Sequence, residues 1–288
     1  MDAPRTCYRH PDRETGLSCS ECGRPICYEC MTPAPVGLRC PDHSGKPQGI
    51  RKVASAAGRG STGFASRQMN AVTLALITIN VAVVVAELAI NGSFSGNWIY
   101  DHGVLIASGQ YTFGGHLIGV AHGEWWRLVT SMFLHGSYLH IALNMYSLYY
   151  VGSILEIQIG RLQFLLLYFA SGIAGSAGAL VLSPLSPTVG ASGAIFGVLG
   201  ALFILERRGS IATGGQIAGL IVLNLVFTFA LASHISVGGH VGGLIGGIVL
   251  MSLFHRFRRS QTLYVVGATA AVIVASVIVA YAKVRQYQ

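Results

Sequence analysis

The sequence predicts an all-α polytopic membrane protein preceded by a small cysteine–histidine module. Three observations predict it. Of 288 residues, 52% are hydrophobic and only 10% charged, where a soluble domain is about a quarter charged. Apolar runs long enough for a bilayer alternate with mostly short loops from residue 69 onward, and the mean hydropathy is +0.57. All six cysteines lie within the first 40 residues. These features exclude a disordered chain and argue against a single soluble globule. The 37 glycines are nearly twice the usual share of about 7%.

The elements follow in order. Residues 1–45 are polar and cysteine-rich and read as a module of their own. Residues 1–50 lack the apolar stretch of a secretory signal, so nothing marks this module for export. Residues 46–68, rich in Gly, Ser, Ala and basic side chains, read as a flexible basic linker. Seven apolar runs follow, at residues 69–90, 137–155, 162–182, 191–205, 216–232, 237–254 and 262–282. None contains proline, and the fourth and fifth are short, as expected of helices buried in protein. The last run, with residues 257–288, follows a core at 69–256.

Orientation follows from the basic residues. Lys46, Arg51, Lys52, Arg59 and Arg67 precede the first run, and Arg161, Arg207, Arg208, Arg256, Arg258 and Arg259 sit in the connections on the same side. The other side holds Arg127, Lys283 and Arg285. The N-terminus is therefore expected in the cytoplasm. The net charge of +8 is a topology signal on this reading, and no nucleic-acid partner is expected. Residues 92–136 are too long for a simple turn and carry Phe94, Trp98, Tyr100, Tyr111, Phe113, Trp125 and Trp126. Aromatic residues favour the membrane interface, so this stretch reads as an outer loop partly embedded in lipid.

The module offers four pairs of ligand side chains: Cys7/His10, Cys19/Cys22, Cys27/Cys30 and Cys40/His43, each with two residues between. Such a gap lets both side chains reach one tetrahedral ion, and eight ligands make two closed sites, which are structural rather than catalytic. A domain this small would draw its folding energy from the metal, and zinc is the expected ion. Six cysteines also permit a disulfide framework, but a cytoplasmic location and the two histidines argue against it. The pattern C-x2-H-x8-C-x2-C-x4-C-x2-C-x9-C-x2-H resembles a B-box-type zinc finger. That resemblance implies a cross-braced arrangement, with Cys7, His10, Cys27 and Cys30 on one ion and Cys19, Cys22, Cys40 and His43 on the other. It also implies a cytoplasmic protein partner for the module.

Polar groups at membrane depth are costly and need a reason. His140 and Asn144 are spaced i, i+4 in the second run, Ser192 opens the fourth and His240 lies near the start of the sixth. Each alone is satisfied by an ordinary helix hydrogen bond. Together they supply a nucleophile, a base and two polar groups for a developing oxyanion. No acid lies in the segments that carry Ser192 or His240, so a dyad is expected rather than a triad. Gly193, Gly197 and Gly200 in the fourth run, and Gly239, Gly243 and Gly247 in the sixth, would let two helices approach and bring Ser192 to His240. Phe196, one turn on, would pack on the His240 ring. No H-E-x-x-H occurs, no aspartate lies within an apolar run, and Ala194 breaks a G-x-S-x-G elbow.

With these residues in order, the chain over 69–254 resembles a rhomboid intramembrane serine protease. The motifs are Glu124-Trp125-Trp126-Arg127, His135-x4-His140-x3-Asn144, Gly190-x-Ser192-Gly193, and Gly239-His240 followed by Gly243-x3-Gly247. The resemblance implies a six-helix core with a seventh helix appended, Ser192 as nucleophile and His240 as general base. It implies His140 and Asn144 near the oxyanion, Trp126 and Arg127 as supports of the outer loop, and the fifth helix as a gate. It implies single-pass transmembrane substrates met within membrane lipid, an active site toward the outer leaflet, and no metal for catalysis. Phe196 stands where some relatives have tyrosine. Two other readings stay open: a non-catalytic rhomboid-like protein that recognises transmembrane helices, which loss of Ser192 or His240 would favour, and a transporter, against which the lack of an intramembrane Asp or Lys path weighs.

Overall fold

The computed structural model describes residues 5–34, 37–44, 70–110, 116–211, 213–232, 235–256 and 262–288. The chain forms two compact units, Met1–Met69 and Asn70–Gln288. The linker expected at 46–68 lies outside the described residues.

In the first unit, β1 (Thr6–Cys7) pairs antiparallel with β2 (His10–Glu14), and β3 (Thr32–Pro33) with β4 (Leu38–Arg39). One turn of helix, α1 (Pro41–Ser44), follows. The first pairing sets Cys7 opposite His10. Among the described residues, the buried hydrophobic set is five of the six cysteines with Ile26 and Met31. That is too little apolar surface to hold so short a chain by itself.

The second unit is a helical bundle. Among the described residues, four helices are long and apolar enough to cross a membrane: α2 (Ala71–Asn91), α7 (Arg161–Leu182), α10 (Val237–Arg256) and the segment Thr262–Tyr287, whose α-helical part is α11 (Thr262–Val284). The fourth and fifth apolar runs form the shorter α8 (Ser192–Arg207) and α9 (Gln216–Ala230). The second run extends past its expected end at 155 and is not uniform. It comprises α5 (Tyr138–Ser147), a π-helical turn over Leu148–Gly152, and α6 (Ser153–Ile159). The wider turn sets Gly152 against Thr73 of α2, where an added side-chain carbon would lie 3.3 Å from that threonine.

Acidic side chains close helix ends that sequence spacing does not reveal. Glu156 of α6 accepts the Val72 and Thr73 amides at 3.0 and 2.8 Å, satisfying the start of α2. Glu206 of α8 likewise accepts the Gly215 amide at 3.0 Å, at the start of α9. The central layer is α7, α8 and α10, around Phe164, Leu167, Tyr168, Leu202 and Leu250. α11 belongs to the same unit. Its Ala280 and Val284 share a second apolar cluster with Leu105, Val120 and Leu180.

The segment between α2 and α5 is built of short pieces: α3 (Trp98–Gly103), the strand pair β5 (Gly109–Gln110) and β6 (Leu117–Ile118), and α4 (Arg127–Thr130). Residues 111–115, with Tyr111 and Phe113, lie outside the described residues. Arg127 is the post of this segment. It is wholly buried. Its Nε donates to Glu124 at 2.8 Å and its guanidinium donates to the Val104 carbonyl at 2.8 Å. The next residue, Leu105, exchanges both backbone hydrogen bonds with Thr188, in the loop that leads to Ser192. Removing one partner of a buried charge pair costs about 3–5 kcal/mol. Arg127→Ala is therefore expected to lower unfolding stability by about that amount. A denaturation curve matching wild type would show that Arg127 does not brace this loop.

Candidate active site and metal centres

The site begins with a turn only glycine allows. Gly190 has φ +123°, and its amide donates to the Ser131 carbonyl at 2.9 Å. A side-chain carbon there would lie 2.7 Å from His140 Nε2 and 3.6 Å from Asn144 Nδ2. The turn therefore lays bare backbone against both side chains and then enters α8 at Ser192. The first amides of a helix have no acceptor within it, and they carry partial positive charge. Ser192, Gly193 and Ala194, the first residues of α8, line the cavity of this site.

Helix approach brings His240 to Ser192. A side-chain carbon on Gly243 would lie 1.9 Å from the Gly193 carbonyl oxygen, and one on Gly247 the same distance from Gly197. These backbones are in contact with nothing between them. α10 has a second bare face that sequence spacing does not separate from the first. Carbons on Gly238 and Gly242 would meet the carbonyls of Gly178 and Ala174 on α7 at 2.1 and 2.5 Å. With α10 seated between α7 and α8, His240 Nε2 lies 2.8 Å from Ser192 Oγ. The Phe196 ring stacks on the imidazole, with centroids 4.1 Å apart and planes 19° apart.

His140 and Asn144 face the same cavity, of about 890 Å³, as Ser192, Gly193 and His240. The Gly136 amide donates to His140 Nδ1 at 3.4 Å, leaving the proton of the neutral ring on Nε2, toward Gly190. Asn144 is 6% exposed, and its Nδ2 has no hydrogen-bond partner among the described residues. An unpaired buried donor beside the helix start suits an oxygen that gains charge. His135 is buried, its ring edge-on to that of His140 at 5.1 Å.

Sequence reasoning missed one residue. Thr228 of α9 lies 2.7 Å, through Oγ1, from His240 Nδ1. The available signal was a polar residue in a largely apolar run, four residues after Asn224.

In the first unit the eight Cys and His ligands form two groups: Cys7, His10, Cys27 and Cys30, and Cys19, Cys22, Cys40 and His43. Pairs one and three join, as do two and four. Ligand atoms in each group all lie within 4.8 Å of one another, and all six cysteines are free thiols. Cys22 and Cys40 sulfurs are 3.8 Å apart, and Cys30 lies 3.3 Å from His10 Nδ1. Ligands of a tetrahedral ion with bonds of about 2.3 Å are separated by roughly 3.7 Å, so both groups fit one. Burial pushes the Cys7 and Cys19 thiols up, but backbone N–H donors outweigh it and hold both at about 6. Burial and the crowding thiols of Cys27 and Cys7 push Cys30 up to about 12. Four such donors brought together could hold a metal ion.

Comparison with known proteins supplies the family context. The family model of the Rhomboid domain matches residues 122–257. "Rhomboid protease GluP" of Bacillus subtilis (strain 168) is 48% identical over 132 residues, covering 44% of this chain and 26% of that protein. "Putative rhomboid protease YdcA" of the same organism is 40% identical over 147 residues, covering 49% of this chain and 73% of that protein. "Inactive RHOMBOID-like protein 8" of Arabidopsis thaliana is 33% identical over 105 residues, covering 36% of this chain and 30% of that protein.

Proposed function

The chain belongs to the rhomboid family of multi-pass membrane proteins, and from that premise we propose that it is an intramembrane serine protease working through a Ser192–His240 dyad. The observation that carries this reading is the 2.8 Å approach of His240 Nε2 to Ser192 Oγ. As Oγ attacks the scissile carbonyl, its proton passes to Nε2. The carbonyl oxygen takes up negative charge beside Asn144 Nδ2, the His140 Nε2 proton and the amides opening α8. The intermediate then collapses. The C–N bond breaks, Nε2 returns the proton to the leaving amine, and the acyl group stays on Oγ. Water then attacks the acyl carbon and gives its proton to Nε2; the C–Oγ bond breaks, Nε2 returns the proton to Oγ, and the product leaves as an acid that ionises to the carboxylate.

The substrates are single-pass transmembrane proteins entering from lipid. A helical carbonyl is already hydrogen-bonded, so the segment must unwind before attack, and helix-breaking residues near the cut speed cleavage. The active site faces the outer leaflet, with the N-terminus in the cytoplasm. Co-reconstituting wild type with a single-pass model substrate in vesicles tests the reading. It expects two fragments cut in or near the membrane segment, with chelators leaving the chemistry intact. Substrate retained but never cut would instead support the alternative, a non-catalytic protein that recognises transmembrane helices.

The Cys/His groups could hold metal ions, and the ions are two structural zincs, fixing a module that docks a cytoplasmic protein. Elemental analysis is expected to give two zinc ions per chain. Stripping them is expected to open residues 5–44 to amide exchange while leaving residues 70–288 protected. A metal-free module with wild-type protection would overturn this assignment.

A further inference from the structure

We propose that Thr228 is a positioning residue that sets the tautomer of His240, making α9 part of the apparatus that activates Ser192. The inference rests on the dyad reading above and adds a third member to it. Thr228 is 1% exposed, and every other residue of α9 beyond Ile221 is at least partly exposed. It is thus the point at which the second half of α9 is buried in the bundle.

The hydroxyl has one proton, and the geometry commits it. Thr228 Oγ1 lies 2.7 Å from the Asn224 carbonyl and donates to it, an ordinary bond for a threonine in a helix. At the same time Oγ1 is 2.7 Å from His240 Nδ1. With its proton engaged, the oxygen accepts from that nitrogen, so Nδ1 carries the single proton of the neutral ring. Nε2 is left with its lone pair toward Ser192, as a base requires. The opposite tautomer would set an N–H against the serine and leave it without a base. Once Nε2 is protonated, Nδ1–H still has its acceptor, so the bond survives the transfer.

Phe196 cannot replace this contact. Stacking fixes the plane of the ring, but a half-turn about the Cβ–Cγ bond restores that plane with nitrogen and carbon exchanged at each edge. A hydroxyl acceptor selects one orientation. It also does so without burying a carboxylate on a lipid-facing helix, where a charge is costly. Any outward displacement of the second half of α9 removes the acceptor.

The test compares wild type, Thr228→Val, Thr228→Ser and Ser192→Ala, each reconstituted whole with the same transmembrane model substrate. A net hydrogen bond of about 1.4 kcal/mol corresponds to a tenfold change in rate. Thr228→Val, which keeps the shape without the hydroxyl, is expected to lose about tenfold or more in kcat, with KM within twofold. Thr228→Ser is expected to recover to within about threefold of wild type. Nitrogen-15 NMR of labelled histidine is expected to show the His240 proton on Nδ1 in wild type, and its loss from that site in Thr228→Val. The inference is overturned by wild-type kcat in Thr228→Val, by a change in KM alone, by failure of serine to restore activity, or by a wild-type proton on Nε2. Cleavage that Ser192→Ala abolishes but Thr228→Val leaves intact removes this inference and spares the dyad. Cleavage unaffected by Ser192→Ala, or no cleavage by wild type, removes both.

Discussion

Ser192→Ala and His240→Ala are each expected to lower the cleavage rate by at least about a thousandfold, with substrate still bound. The serine variant has no atom to form the acyl bond. The histidine variant keeps the hydroxyl, but with no base at 2.8 Å the oxygen remains a weak nucleophile. The two act as a unit, so the double variant is expected to be no slower than either single one. Kinetics on purified protein in vesicles, with binding measured separately, check this. Multiplied effects would mean that each residue serves a different step. Retained cleavage in either variant would remove the dyad.

A single methyl group on α10 is expected to have nearly as large an effect, without touching the chemistry. Gly243→Ala places a carbon 1.9 Å from the Gly193 carbonyl, so the two backbones must part by more than an ångström. Gly193 follows Ser192 directly, and Gly243 lies one turn beyond His240, so the separation falls on the dyad. A misplacement of about 1 Å costs on the order of a hundredfold in rate. Gly267→Ala, in α11, is the matched control. Nothing lies within 4 Å of its added carbon, and activity is expected to stay at the wild-type level. A hundredfold gap between these variants would assign the glycine contact its role. Equal activity would mean that α10 has slack to give.

Much of this arrangement is legible in the sequence because its signals are local. The apolar runs mark helices, as lipid leaves no other way to satisfy the backbone of each spanning segment. The i, i+4 spacing of Gly193 and Gly197, and of Gly239 and Gly243, marks faces where helices touch. The motif around Gly190 and Ser192 marks a turn opening a helix. What stayed hidden depends on distant partners. Glu156 closes α2 from more than 80 residues away, and no spacing rule links them. The second bare face of α10 becomes meaningful only once α7 lies against it. No acid lies in the apolar runs that carry Ser192 and His240. The residue in contact is the hydroxyl of Thr228, which does the work of orientation without a charge. The appended helix was visible as an apolar run, but its packing with Leu105 and Val120 was not.

The central claim is that Ser192 has enhanced nucleophilicity conferred by His240. A serine-directed phosphonate probe tests it most directly, with the adduct located by mass spectrometry in wild type and in His240→Ala. One adduct is expected, on Ser192, forming at least about a hundredfold more slowly in His240→Ala. An adduct on another residue, or labelling of Ser192 at the same rate in both proteins, would contradict it.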